Sequence, residues 1–112
     1  LQGAGWLTME EVKWKSNGQI TTHSPSTYKI PAVNDMPENF NVEIFKGGKN
    51  KENVVNKSKT TGEPPLMNAM SVFFAIKDAI SSIGNYDITP IIDAPATPEK
   101  ILMSINNLKA KL

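Results

Sequence analysis

Among the 11 acidic side chains of this 112-residue chain, Glu63 has the setting best suited to chemistry. It lies in Lys59-Thr60-Thr61-Gly62-Glu63-Pro64-Pro65-Leu66, at the mouth of the most hydrophobic helical stretch in the chain. Gly62 carries no Cβ, so it permits either a tight turn or the close approach of a bulky ligand. Pro64 disfavours helical angles in the residue before it, which predicts that Glu63 sits on non-helical backbone just outside the helix. Pro65 suits a helix's first turn, where an N–H has no partner to meet. The residues leave two readings of Glu63 open. One is a charge stabilising the positive end of a helix, by a few tenths to about 1 kcal/mol. The other is a general base, a role in which a positioned carboxylate contributes about 10² to 10⁴ in rate.

Other chemistries have less support. The chain has no cysteine, which removes disulfides, thiolate metal sites, iron–sulfur ligation and a cysteine nucleophile within it. Its one histidine, His23, stands beside Ser24-Pro25 without a second ligand and reads as a turn residue. Lys46, Lys49, Lys51 and Lys57 lack interleaved aromatic residues and read as a solvated loop. A net charge of +1 creates no general attraction to nucleic acid or an anionic membrane. No apolar run approaches the length of a membrane span, and no signal peptide is recognisable, so the expectation is a soluble, cytoplasmic protein. The chain opens on Leu1-Gln2-Gly3, as if on the tail of an element, and the expectation is a piece of something longer.

The elements that must position Glu63 follow from hydrophobic period and turn chemistry. Leu1 to Glu11 fits a helix end or a strand equally well. Val12–Lys15 and Gln19–Thr22 flank Ser16-Asn17-Gly18 and predict a hairpin. Ser24 to Phe40, with Pro25, Pro31 and Pro37, reads as an irregular connection. Asn41–Phe45 and Glu52–Asn56 read as strands, and Ile88–Asp93 as a short extended piece. From Leu66 to Ile76 only Asn68 and Ser71 are polar, which predicts a nearly buried helix from about Pro65 to Ile83. Thr97 as N-cap, Pro98 and Glu99 open a last helix, with Ile101, Ile105, Leu108 and Leu112 on one stripe and Lys100, Lys109 and Lys111 facing water. The expected fold is α+β: a small mixed sheet, hairpin plus further strands, packed on the buried helix with the C-terminal helix alongside. Exposed apolar surface and self-association of the isolated chain are expected with it.

Four segments carry a family resemblance: Ser26–Ala32, Ser58-Lys59 with Gly62-Glu63-Pro64-Pro65-Leu66, Phe73–Ile80 and Pro95–Ile101. In this order and spacing they resemble the C-terminal end of the molybdenum-binding part of the xanthine dehydrogenases, within the xanthine oxidase/aldehyde oxidase family. The resemblance runs from Gln2-Gly3 to the last helix. It implies that residues 1–112 form the C-terminal part of a molybdenum-cofactor-binding domain, a subdomain of a molybdenum hydroxylase. Glu63 would be the catalytic base in oxidising hypoxanthine and xanthine to urate, activating a water-derived oxygen for attack on an electron-poor purine carbon. Gly62 would let the pterin and substrate come close, and this chain would supply no metal ligand.

The same resemblance implies a molybdenum–pterin cofactor held mainly by upstream segments, with FAD and 2Fe–2S clusters elsewhere in an oligomeric enzyme. Expected partners are those cofactor-binding segments and a purine, with neither nucleic acid nor membrane among them, and the chain alone would be inactive. Aldehyde oxidases commonly depart from the double proline, so Pro64-Pro65 favours the purine enzymes. A fragment acting on aldehydes or other N-heterocycles, and a non-catalytic interaction module, are the alternatives. Thr60-Thr61 and Asn68-Ala69-Met70 depart from the family pattern and bear on packing near Glu63.

Overall fold

The computed structural model describes residues 1–112 and contains three α-helices joined by long irregular segments: α1 (Gln2–Thr8), α2 (Glu63–Ser82) and α3 (Pro98–Lys109). Short 3-10 turns occupy Val33–Asp35 and Val55–Lys57. Helix α1 packs extensively on α2, and α3 touches the far end of α2 more lightly.

Residues Leu1 to Glu11, undecided between helix and strand, form α1 and its exit. Its two glycines, Gly3 and Gly5, each disfavour a helix by about 1 kcal/mol relative to alanine, and both are buried. Tertiary packing therefore has to sustain this short helix. Backbone bonds continue the connection outward, with the N–H of Ala96 donating to Leu7 O at 2.6 Å just before α3 begins.

Helix α3 starts where its capping residues predict. Thr97 is extended and its hydroxyl accepts from the N–H of Lys100 at 3.4 Å, Pro98 opens the helix, and Glu99 lies in the first turn. Leu108, only 2% exposed, packs toward Gly84, whose missing Cβ would lie 3.1 Å from Leu108 Cδ2. Ile101 and Ile105 are half-buried on the same stripe, whereas Leu112 is exposed. Lys109 and Lys111 face water as expected, but Lys100 is half-buried, with its Nζ 3.9 Å from Glu11 Oε1. Ser104 donates to Ile91 O at 2.9 Å and holds the 88–93 segment against α3. Because the Thr97 bond is long, Thr97→Ala should cost no more than about 1 kcal/mol, at the lower half of the usual range for cap loss, read as a shift in urea midpoint of the intact protein.

The small mixed sheet of the expected α+β fold does not form. One isolated antiparallel bridge, Trp14 with Ile20, is the whole of the β pairing. The turn there does follow its residues: Gly18 takes φ +82°, Lys15 N–H donates to Gln19 O at 2.9 Å, and Thr21 N–H to Lys13 O at 2.8 Å. Trp14 and Ile20 remain mostly exposed, however, and a hairpin with no cover over its apolar face is marginal in water. Asn41–Phe45 has the alternation of a strand but no neighbouring strand to complete a ladder, and Val42, Ile44 and Phe45 are exposed. The Glu52–Asn56 stretch is displaced by the 3-10 turn, in which Asn56 and Lys57 both have positive φ. Ile88–Asp93 forms no strand and is secured instead by Ser104.

The near-complete burial expected of α2 also fails. Ala69 and Ile80 are its only buried residues, while Met67, Met70, Val72 and Phe74 are exposed. The apolar residues cover most of its circumference, but one short helix and the start of another cannot enclose it. Overall dimensions agree: the radius of gyration is 18.3 Å, against about 13 Å for a compact domain of this length. No helix is long and apolar enough to cross a membrane.

Candidate active site

Glu63 is the first residue of α2, and Gly62 is its N-cap. This corrects the expectation of a non-helical Glu63 outside the helix. The steric bias imposed by Pro64 is a preference, and here the helix includes Glu63. The next two residues, Pro64 and Pro65, lack N–H groups that a first turn would leave unpartnered in any case. Gly62 adopts ordinary right-handed angles, φ −79° and ψ −38°, and a Cβ there would meet nothing within 4 Å. No tight turn requires glycine at this position.

The carboxylate of Glu63 is exposed and uncommitted. The ion pairs of the molecule are Lys13–Glu11, Lys29–Asp35 and Lys100–Glu11, and no side-chain hydrogen bond involves Glu63. Immediately beside it, Thr60, Thr61, Pro64, Pro65 and Asn68 line one side of an open cleft of about 530 Å³, and Leu1 to Ala4 line the other. Glu63 and Gly62 do not themselves line that cleft. The sequence-predicted pair thus lies at one exposed helix end, next to a concavity built by α1 and α2.

A second acidic residue, Glu10, was not legible as special in the sequence. It is buried at the exit of α1, and Tyr28 donates its hydroxyl to Glu10 Oε2 at 2.7 Å. Its neighbour Glu11 pairs with Lys13 at 3.0 Å and Lys100 at 3.9 Å. Glu10 and Glu11 together tie the end of α1 to the proline-rich connection and to α3. The hydrogen bond to Glu10, then desolvation and the charge of that carboxylate, raise the pKa of Tyr28 above that of an ordinary phenol. Since the protonated phenol is the donor, the stabilisation is fully present below the unfolded pKa of about 10 and is lost as pH rises through the higher folded value. A difference titration of tyrosinate absorbance between the intact protein and its Tyr28→Phe variant should place the Tyr28 midpoint above 10. A midpoint at or below 10 would show that the bond is not made in solution. The only earlier sign of this tie was the position of Tyr28 inside the Ser26–Ala32 segment.

No group of three or more His, Cys, Asp or Glu side chains is placed to ligate a metal. No buried side-chain polar atom lacks a partner and waits for one. What distinguishes Glu63 from the other unpaired carboxylates is its place at the start of α2, beside open space at Gly62.

Residues 1–37 match the family model of the molybdopterin cofactor-binding domain. The particular relatives are xanthine dehydrogenases: the chain is 45% identical to that of Oryza sativa subsp. japonica and 44% identical to xanthine dehydrogenase 1 of Arabidopsis thaliana, each over 93% of its residues. It is 45% identical to the xanthine dehydrogenase/oxidase of Mus musculus over 90% of its residues. The chain spans 8% of the length of these curated relatives. Nearly the whole of its own length is thus similar to one segment of these xanthine dehydrogenases.

Proposed function

We propose that this chain is the C-terminal part of the molybdenum-cofactor-binding domain of a cytoplasmic, oligomeric purine hydroxylase, and that Glu63 is its catalytic base. The observation that carries the reading is an unpaired, exposed carboxylate in the Gly-Glu-Pro-Pro motif, within a chain 43–45% identical to xanthine dehydrogenases. A base must reach the proton it removes without first breaking a bond to a neighbour, and Glu63 has no such bond to break.

The molybdenum–pterin group, bound by other segments, supplies the redox chemistry, with FAD and 2Fe–2S clusters completing the electron path in the intact enzyme. The part assigned to this chain is proton uptake at a Glu63 carboxylate oxygen as the oxygen nucleophile attacks the purine. Pro64 and Pro65 restrict the first turn of α2 and so limit the directions in which that carboxylate can move. Gly62 keeps the approach open, with nothing near the place a Cβ would occupy. Without the remaining segments the chain has no catalytic activity. Exchange of Glu63 for glutamine in the intact enzyme tests the assignment: purine hydroxylation should be lost while molybdenum is retained.

A further inference from the structure

We infer that Gly3 is a positioning residue for Glu63, acting through the contact of α1 with the first turn of α2; this rests on the reading of Glu63 as the base. Gly3 is buried at the point where the two helices meet. A Cβ on residue 3 would overlap the carbonyl oxygen of Pro65, lie 2.6 Å from its carbonyl carbon and 2.9 Å from Ala69 Cβ. Two of those atoms belong to the backbone of α2 and cannot swing aside as a side-chain tip can. Any side chain at residue 3 therefore pushes the helices apart.

Residue 65 lies in the first turn, two positions from Glu63. Pro64 and Pro65 each have a ring-fixed φ, so this turn has little freedom to absorb a push locally. It moves with its carboxylate. Displacement of a catalytic group by on the order of 1 Å is enough to cost about 10²-fold in rate.

Gly5 provides a matched comparison in the same helix. A Cβ there would come within 2.5 to 2.7 Å of the Pro31 ring and Glu10 Oε1, none of them an atom of α2. Both glycines are crowded, and both would gain helix propensity as alanine. Only Gly3 bears on the backbone that carries the base.

The experiment places Gly3→Ala and Gly5→Ala separately in the intact enzyme. For Gly3→Ala, kcat should fall roughly 10²-fold with KM and molybdenum content unchanged. Amides of Leu66 to Asn68 should exchange hydrogen faster, both in cofactor-loaded and cofactor-free protein. Gly5→Ala should stay within about threefold of the parent in kcat, a difference of under about 0.7 kcal/mol in barrier. Should Gly3→Ala fail to accumulate, Ala69→Ser presses on the same contact more gently and should lower kcat several-fold with KM unchanged. Unaltered kcat in whichever of these variants folds would overturn the inference, as would a rise in KM alone or an equal loss in Gly5→Ala. Retained turnover in Glu63→Gln would instead overturn the underlying reading of the base; an inactive Glu63→Gln beside a fully active Gly3→Ala overturns only the role of Gly3.

Discussion

Glu63→Gln in the intact enzyme should lower kcat for purine hydroxylation by about 10² to 10⁴, or some 3 to 5 kcal/mol of barrier, with molybdenum content unchanged by elemental analysis. The substitution keeps the side chain's size and removes its ability to take up a proton. It separates the two readings of this residue by magnitude. A carboxylate serving only as a favourable charge at the first position of α2 is worth about 0.3 to 1 kcal/mol of stability, and its loss would shift the melting temperature slightly and leave turnover intact. Glu63 has no ion pair or hydrogen bond whose loss would confuse the result. Retained turnover would end the assignment of the base. A panel of aldehydes and other N-heterocycles on the same intact enzyme fixes the substrate class, with purines expected to be preferred.

The isolated 112-residue chain should self-associate, with light scattering giving a mass above the monomer and a hydrophobic dye binding strongly. The accessible surface is 9120 Å², whereas a compact monomer of this size exposes about 6100 Å². The difference, about 3000 Å², lies in the range buried by obligate protein interfaces. Much of the exposed surface is apolar: Met67, Met70, Val72 and Phe74 on α2, Leu102 and Met103 on α3, and Val42, Ile44 and Phe45 in the connection between α1 and α2. Inside, the buried apolar side chains are Ala69, Ile80, Ala96 and Leu108, none of them a large side chain that is fully enclosed. Such a core offers little to offset the conformational entropy of ordering the chain. Addition of the remaining cofactor-binding segments should restore a defined species. A monodisperse monomer at high concentration, with a sharp cooperative melt, would show that the chain is self-sufficient.

The candidate site was legible in part. Glycine before glutamate and two prolines marks a helix entrance by backbone chemistry alone, and α2 does begin there. The placement of Glu63 within the helix was not legible, because the pre-proline bias describes an isolated residue and the complete helix outweighed it. Glu10 gave no signal either. A glutamate beside another glutamate looks solvent-facing until the connection carrying Tyr28 folds back over it.

For this chain, sequence by itself determined the local features whose physics is local. The start of α3 follows from Thr97 and Pro98 and its course from one apolar stripe, the positive φ of Gly18 from its turn, and α2 from a long apolar run behind Pro64-Pro65. The Gly-Glu-Pro-Pro motif and the segments around it likewise carried the kinship with xanthine dehydrogenases. Tertiary structure alone decided whether alternating segments become a sheet. Alternation shows that a segment has one apolar face, but a ladder needs a second strand at hydrogen-bonding distance, and beyond Trp14 and Ile20 this chain supplies none. It also decided which glycines matter: Gly62, conspicuous in the motif, stands in open space, while Gly3 is where two backbones meet too closely for any other residue.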